Sequence, residues 1–77
     1  MTTNKFTWGD SIRIDASAPV IYHPGECGSI SGLRQIDNQE MARSFRENIG
    51  AVVYIVEFGD GSSIEVPEQF LAKDTRS

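Results

Sequence analysis

Cysteine, histidine and positive charge are all scarce in this chain, and each scarcity excludes a class of function. Cys27 is the one cysteine and cannot form an internal disulfide. His23 is the one histidine, so zinc sites that need several cysteine or histidine ligands are excluded. We expect no metal or cofactor. Seven basic residues stand against eleven acidic ones, for a net charge of −4. Because nucleic-acid surfaces need clustered positive charge, we expect no nucleic-acid partner.

Long apolar runs are also missing. No stretch approaches the roughly 20 residues that span a bilayer. Residues 1–8 are polar and lack the apolar core of a secretory signal. We therefore expect a cytoplasmic protein without a membrane partner, in a compartment where a lone cysteine is unremarkable.

The length predicts one domain over residues 1–77, with an ordered core over about 8–73 and frayed polar ends at 1–4 and 74–77. A core of this size supplies only about 3–5 kcal/mol of stability. With no disulfide or metal expected, self-association to a dimer or tetramer is the stabilising device left open.

Two short strands open the chain, with a loop between them. Apolar and polar residues alternate over Ser11–Asp15, which indicates a half-buried strand. The proline-bearing segment Ala16–Gly25 predicts a long irregular loop, whose alternating Val20 and Tyr22 would pack one side onto the sheet. A second strand over Glu26–Ile36 contains glycines typical of a bulge, a bend or a close contact between backbones. These glycines are Gly28 and Gly32, and the candidate core residues are Ile30 and either Leu33 or Ile36.

Residues 38–49 break the strand pattern and predict a helical insertion over Gln39–Asn48. Asp37 and Glu40 form a variant of the capping box, and Gly50 stands where a left-handed residue would end the helix. An ordered loop with the same apolar anchors is the alternative. Those anchors, spaced every four residues, are Met41, Phe45 and Ile49.

Ala51–Phe58 is the strongest strand pattern, and Gly59–Gly61 turns it back on itself. Only a three-residue loop with a left-handed Gly61 keeps apolar and polar side chains on separate faces. The facing pairs are then Val56–Ile64, Tyr54–Val66, Glu57–Ser63 and Ile55–Glu65. The core face holds Tyr54, Val56, Phe58, Ile64 and Val66.

After this hairpin, Pro67 stops the returning strand. A short 3₁₀ turn would then bring Phe70 or Leu71 back over the core. A brief last strand over Leu71–Lys73 completes the predicted order.

This order resembles an SH3-like barrel of about five antiparallel strands with a short helical insertion before the long strand. Residues 9–14 (GDSIRI) resemble the opening strand of many such barrels, and residues 24–30 (PGECGSI) resemble their second strand. Residues 54–58 (YIVEF) and the tail over 67–71 resemble their closing region. The likeness covers roughly residues 8–73 and implies a fold, since these barrels serve many unrelated roles.

Three groups of SH3-like proteins resemble the chain in different ways. Small bacterial immunity-type barrels neutralise toxins by binding. The barrel domain of the nitrile hydratase β subunit packs on a partner and carries no metal. Type II dihydrofolate reductases are homotetramers whose Val-Gln-Ile-Tyr motif lines a shared pore, whereas residues 63–67 here read SIEVP and lack the glutamine and tyrosine.

Five residues form the candidate binding surface. SH3-like barrels often bind peptides between aromatic side chains of the long loop and the closing turn, and structural packing is the alternative role for the aromatic residues here. Val53 and Ile55 face away from the core in the proposed register, so either the helix or another subunit must cover them. The aromatic candidates are Trp8, Tyr22 and Phe70.

No catalytic set emerges from the remaining polar residues. His23 and Cys27 lie four residues apart, but Pro24 and Gly25 between them leave the geometry of a nucleophilic pair undefined. The carboxylates at 57, 65 and 68 are expected on a solvated face rather than in an apolar pocket. The sequence therefore favours a non-enzymatic binding protein that contacts a protein partner or itself. A small enzyme with its site at a homo-oligomer interface is the alternative.

Overall fold

The computed structural model describes residues 5–74, so the expected fraying of residues 1–4 and 75–77 lies outside the described range. The fold is mainly β, with antiparallel strands, one helix and two 3₁₀ turns. In chain order the elements are β1 (Ser11–Ile14), the first 3₁₀ turn (Val20–Tyr22), β2 (Cys27–Gln35), α1 (Gln39–Phe45), β3 (Val52–Glu57), β4 (Ser63–Pro67), the second 3₁₀ turn (Glu68–Phe70) and β5 (Leu71–Lys73).

The five strands form one sheet in the order β4-β3-β2-β1-β5. The edge strands β4 and β5 do not pair with each other within residues 5–74, so hydrogen bonds do not close the sheet. A mainly β fold with one inserted helix is confirmed, while the closed SH3-like barrel stays a prediction. Asp74, expected in the frayed end, extends the β5 pairing, because its N–H donates to the Ser11 carbonyl at 3.0 Å.

β2 contains a bulge and a close backbone contact, two of the features that its glycines predicted. Its pairing with β3 shifts between Ile30 and Gly32, so Ser31 is the extra residue of a bulge. A Cβ on Gly28 would lie only 2.7 Å from the Glu57 carbonyl oxygen, a distance that side-chain carbons do not adopt. β2 pairs with β1 over Cys27–Ser29 and with β3 over Ser29–Gln35.

The β3–β4 hairpin confirms the predicted register in full. Val56 faces Ile64 and Tyr54 faces Val66, as a three-residue loop requires. The Gly61 N–H donates to the Phe58 carbonyl at 3.0 Å, and Gly61 has a φ of 90°. The left-handed glycine therefore sits at the predicted position of the turn.

All five strands contribute to one buried cluster, called here the inner core. Ile30 belongs to it as predicted, and so does Leu71 after the second 3₁₀ turn. Of the two alternatives for a further core residue, Leu33 is exposed and Ile36 is fully buried, but outside the inner core. Phe6, which precedes the predicted ordered core, is also buried and packs edge-on against the Tyr54 ring at 5.4 Å. The buried members are Phe6, Ile12, Ile14, Ala18, Tyr22, Ile30, Val52, Tyr54, Val56, Val66 and Leu71.

The predicted helix is confirmed but is shorter at its end. Asn38 rather than Asp37 caps it, since the Asn38 side-chain oxygen accepts from the Met41 N–H at 2.8 Å. Arg46 rather than Gly50 ends it, with a left-handed φ of 55°. Ile49 therefore lies beyond the helix and is 51% exposed instead of joining the apolar stripe.

α1 covers the opposite face of the sheet through a small cluster, called here the outer cluster. Val53 is fully buried there, so the helix covers it as the first alternative predicted. Ile55 is half-buried and lies outside this cluster, close to Gly32 on the neighbouring strand. The buried members are Ile36, Ala42 and Val53, and Met41, Phe45 and Ala51 pack against them.

Within residues 5–74, no helix combines the length and the apolar character needed to cross a membrane.

Candidate functional site

The first 3₁₀ turn presents two apolar side chains to solvent. It is held by the Tyr22 N–H donating to the Pro19 carbonyl at 2.9 Å and the His23 N–H donating to the Val20 carbonyl at 3.1 Å. Three residues per turn place successive side chains about 120° apart. Tyr22 consequently points into the inner core while Val20 and Ile21 are 82% and 67% exposed. The predicted packing of Val20 onto the sheet was wrong because the segment turns instead of extending.

The second 3₁₀ turn meets the first one through aromatic contact. The Phe70 ring lies 5.8 Å from the Tyr22 ring, with the planes tilted by 33°. Pro67 ends β4, and the turn that follows carries Phe70 onto the inner core. The structure thus brings together two of the three predicted aromatic residues.

The end of α1 forms a third wall beside these turns. Phe45 packs against both the inner core and the outer cluster, which anchors this end of the helix. The left-handed backbone at Arg46 then redirects the chain toward Glu47. The Glu47 carboxylate accepts a hydrogen bond from the Gln69 side-chain amide, which ties the helix end to the second 3₁₀ turn.

These three walls enclose a groove with a volume of about 330 Å³. Residues 19–22, 44–47 and 69–70 line it, so it is assembled from three separate stretches of the chain. Val20, Ile21, Phe45 and Phe70 supply apolar surface, and the polar lining residues are Ser44, Arg46, Glu47 and Gln69. Concave apolar surface with a few polar groups is the usual composition of a binding site.

The electrostatics of the groove are mixed. Burial raises the pKa of the Tyr22 hydroxyl, the Glu47 carboxylate raises it further, and the Arg46 guanidinium opposes the shift. Arg46 is exposed, and it has no ion pair within residues 5–74. The salt bridge in that range joins Arg34 to Glu65 at 2.6 Å, on the outer side of the sheet.

The other candidate residues lie away from the groove. Trp8 is 73% exposed and lines a separate shallow depression with Thr7, Gly32 and Leu33. Val53 is buried under α1 and Ile55 is half-buried on the outer face of the sheet. Neither residue lines the groove.

The polar residues considered for catalysis do not line the groove. The His23 ring stacks on Phe58, with 5.4 Å between ring centroids, while Cys27 begins β2. Glu65 is paired with Arg34, and Glu68 accepts a hydrogen bond from the Tyr54 hydroxyl at 2.6 Å. Within the described residues, no group of three or more histidine, cysteine or acidic side chains could hold a metal ion.

Several groove residues escaped the sequence-based prediction. Val20 was assigned to packing, Ile21 had no assigned role, and Arg46 and Gln69 had no pattern to single them out. The sequence contained one signal for Val20 and Ile21, which are adjacent branched apolar residues in a loop bounded by Pro19 and Pro24. Loop residues follow no strand or helix periodicity that would assign them to a buried face. Exposure to solvent was therefore the alternative to packing on the sheet.

No protein-family model, curated protein or solved structure matches this chain.

Proposed function

We propose that this chain is a small non-enzymatic binding protein of the SH3-like barrel kind, which holds a segment of a partner protein in the groove. Support for the barrel comes from the order of the strands, in which β1 to β4 are successive neighbours and β5 lies beside β1, and from the one inner core to which all five strands contribute. Further support comes from the bulge at Ser31 and the close approach at Gly28, the kind of distortions that curl a sheet.

The binding proposal rests on one observation: Val20 and Ile21 are exposed in a groove that the aromatic rings of Phe45 and Phe70 also line. Each side chain would stabilise a complex by up to about 1.5–3 kcal/mol if a partner buried it fully. Phe70 and Phe45 are already held in place by the inner core, so a ligand would meet a preformed surface. Central, rigid apolar contacts of this kind dominate the energy of most protein interfaces.

The groove is suited to an extended segment rather than to a small polar metabolite. Its lining comes from three separate stretches of chain and combines apolar side chains with polar ones. Extended peptides bind SH3-like domains in aromatic-lined grooves of this type. We therefore propose an extended segment of a partner protein as the ligand.

Selection from a random library of short linear peptides displayed on phage would test this function. We expect the protein to enrich a family of related peptides. The double variant Val20→Asp/Ile21→Asp should lose them, because two carboxylates would remove the apolar rim. Both side chains are exposed, so the variant should stay folded, which circular dichroism can verify.

Ile49→Asp is the matched control, since Ile49 is also an exposed branched residue but does not line the groove. The control should keep the selected peptides. Equal binding by the wild type and the double variant would contradict the groove as the site.

Sedimentation velocity addresses the alternative class, an enzyme built at an oligomer interface. The groove proposal requires no self-association, and α1 already covers Val53, one of the two outer residues that suggested it. We therefore expect a monomer at concentrations at which the selected peptides bind. A stable tetramer would favour the interface enzyme instead.

A further inference from the structure

The groove carries one charged group that the rest of the described chain leaves without a counterpart, the guanidinium of Arg46. The salt bridge within residues 5–74 joins Arg34 to Glu65, and neither residue lines the groove. Arg46 is exposed at the groove wall. A guanidinium offers five N–H donors in a planar fork that matches a carboxylate.

The negatively charged residue of the groove, Glu47, already has contacts within the protein. Glu47 is half-buried and accepts the hydrogen bond from the Gln69 amide. It also lies near enough to the Tyr22 hydroxyl to raise the pKa of that group. A basic residue of a ligand would have to compete with these contacts, whereas an acidic residue would find Arg46 open.

We propose that the groove selects peptide segments in which apolar residues stand beside a carboxylate, with Arg46 as the residue that pairs with it. This inference rests on the proposed function and names its ligand class. The apolar side chains would lie between the exposed pair Val20 and Ile21 and the rings of Phe45 and Phe70. The carboxylate would approach the wall formed by the end of α1, where the chain turns at Arg46.

The charge at the groove and the net charge of the protein favour ligands of opposite sign. The net charge of −4 steers basic partners toward the protein from a distance. At contact, screening by salt leaves the nearest charges to decide the preference. A ligand preference for acidic residues would therefore be a property of this groove and not of the whole surface.

Peptide selection with charge variants tests the assignment. The wild type should enrich peptides with Asp or Glu adjacent to apolar residues, and Arg46→Glu should enrich Lys or Arg there instead. For a synthetic peptide from the wild-type selection, fluorescence anisotropy should show binding weakened about five- to twentyfold by Arg46→Glu, as expected for reversing one exposed pair. Arg46→Gln should weaken it about two- to fivefold and reduce its dependence on salt.

Arg13→Glu is the matched control. Arg13 is an exposed residue of β1 that does not line the groove, and its reversal changes the net charge by the same amount. Arg13→Glu should leave both the peptide preference and the affinity unchanged. An equal effect of the two reversals would overturn the assignment to Arg46.

The remaining outcomes separate this inference from the proposed function. If the selected peptides are basic or uncharged but are still lost in Val20→Asp/Ile21→Asp, the groove binds peptides and the role of Arg46 is refuted. If no peptides are enriched, or if the double variant keeps them, the proposed function and this inference both fail.

Discussion

The two faces of the sheet are buried by different means. The inner core gathers side chains from all five strands, so each strand supports the others. The outer cluster has three buried residues and depends on one seven-residue helix. A helix this short is not stable alone and gains its stability from the face it covers. The comparison indicates that the inner core determines the fold, while the outer cluster positions α1 and hence one wall of the groove.

Placing a carboxylate on each face of the sheet in turn should give the largest difference in stability between two variants. Val56 and Val53 are both fully buried, on the inner and outer faces respectively. An unpaired carboxylate at position 56 should cost several kcal/mol, comparable with the whole stability of about 3–5 kcal/mol for such a domain. Val56→Asp should therefore unfold the protein at 25 °C, as measured by circular dichroism.

Val53→Asp should instead release α1 and leave the sheet folded. Hydrogen exchange would then show lost protection in Gln39–Phe45 and retained protection in β3 and β4. Loss of protection throughout the sheet would mean that the helix is integral to the fold and that the two faces are not separable.

Filling the space at Gly28 should have the next largest effect. A Cβ there would lie 2.7 Å from both the Glu57 carbonyl oxygen and the Val56 Cγ1, so the backbone must shift. Gly28→Ala should lower the free energy of unfolding by about 1–3 kcal/mol in a urea titration. Gly59→Ala is the control, because no atom lies within 4 Å of the added carbon and its φ is not in the left-handed region. A neutral Gly28→Ala would contradict the close contact between β2 and β3.

The Tyr54 hydroxyl ties the segment before β1 to the inner core. It accepts from the Phe6 N–H at 3.0 Å and donates to Glu68 at 2.6 Å, and Glu68 also accepts from the Lys5 N–H at 3.1 Å. Tyr54→Phe should cost about 1–2 kcal/mol because Phe6 loses its acceptor.

The same hydroxyl should make stability fall at alkaline pH. Burial raises the pKa of Tyr54, and its hydrogen bond to Glu68 raises it further. The neutral form is thus favoured in the folded state, so the contribution is complete below the unfolded pKa of 10.0 and is lost as pH rises through the folded value. Urea titrations across this range should show a steeper decline for the wild type than for Tyr54→Phe. Parallel declines would indicate that Tyr54 titrates as it does in the unfolded chain.

The smallest effect is expected for Ile55→Asp. Ile55 is half-buried on the outer face, outside the outer cluster and close to Gly32. The change should cost about 1 kcal/mol or less in a thermal melt, since most of the lost area is near solvent. Complete unfolding would place Ile55 in the inner core and refute the observed register.

Local patterns in the sequence predicted the parts of the fold that depend on neighbouring residues. The side-chain pattern of β3 and β4 around Gly59 and Gly61 defined the hairpin register, because a two-residue turn would have placed a carboxylate among apolar side chains on both faces. The helix and its start at Gln39 were predicted from the sequence, but the capping residue and the C-terminal end were wrong. Asn38 and Asp37 are both good caps, and nothing local distinguishes them.

The candidate site was predicted only in part, since it joins distant stretches of chain. Tyr22 and Phe70 were assigned to one candidate surface, and the structure places their ring centroids 5.8 Å apart. Trp8 was placed in the same surface, but the structure puts it beside Leu33 in a different depression. A loop residue has no repeating pattern, so its direction depends on what it packs against.

The sequence by itself determined which residues pair across the β3–β4 hairpin, that a helix follows β2, and which apolar residues of β3 and β4 share a face. Short-range periodicity and turn chemistry suffice for these, since each involves residues close in the chain. Only the tertiary structure decided that Val53 is covered by α1, that Val20 and Ile21 face solvent, and that Arg46 stands at a groove. Those outcomes depend on how three separated segments pack together, and no local pattern encodes that packing.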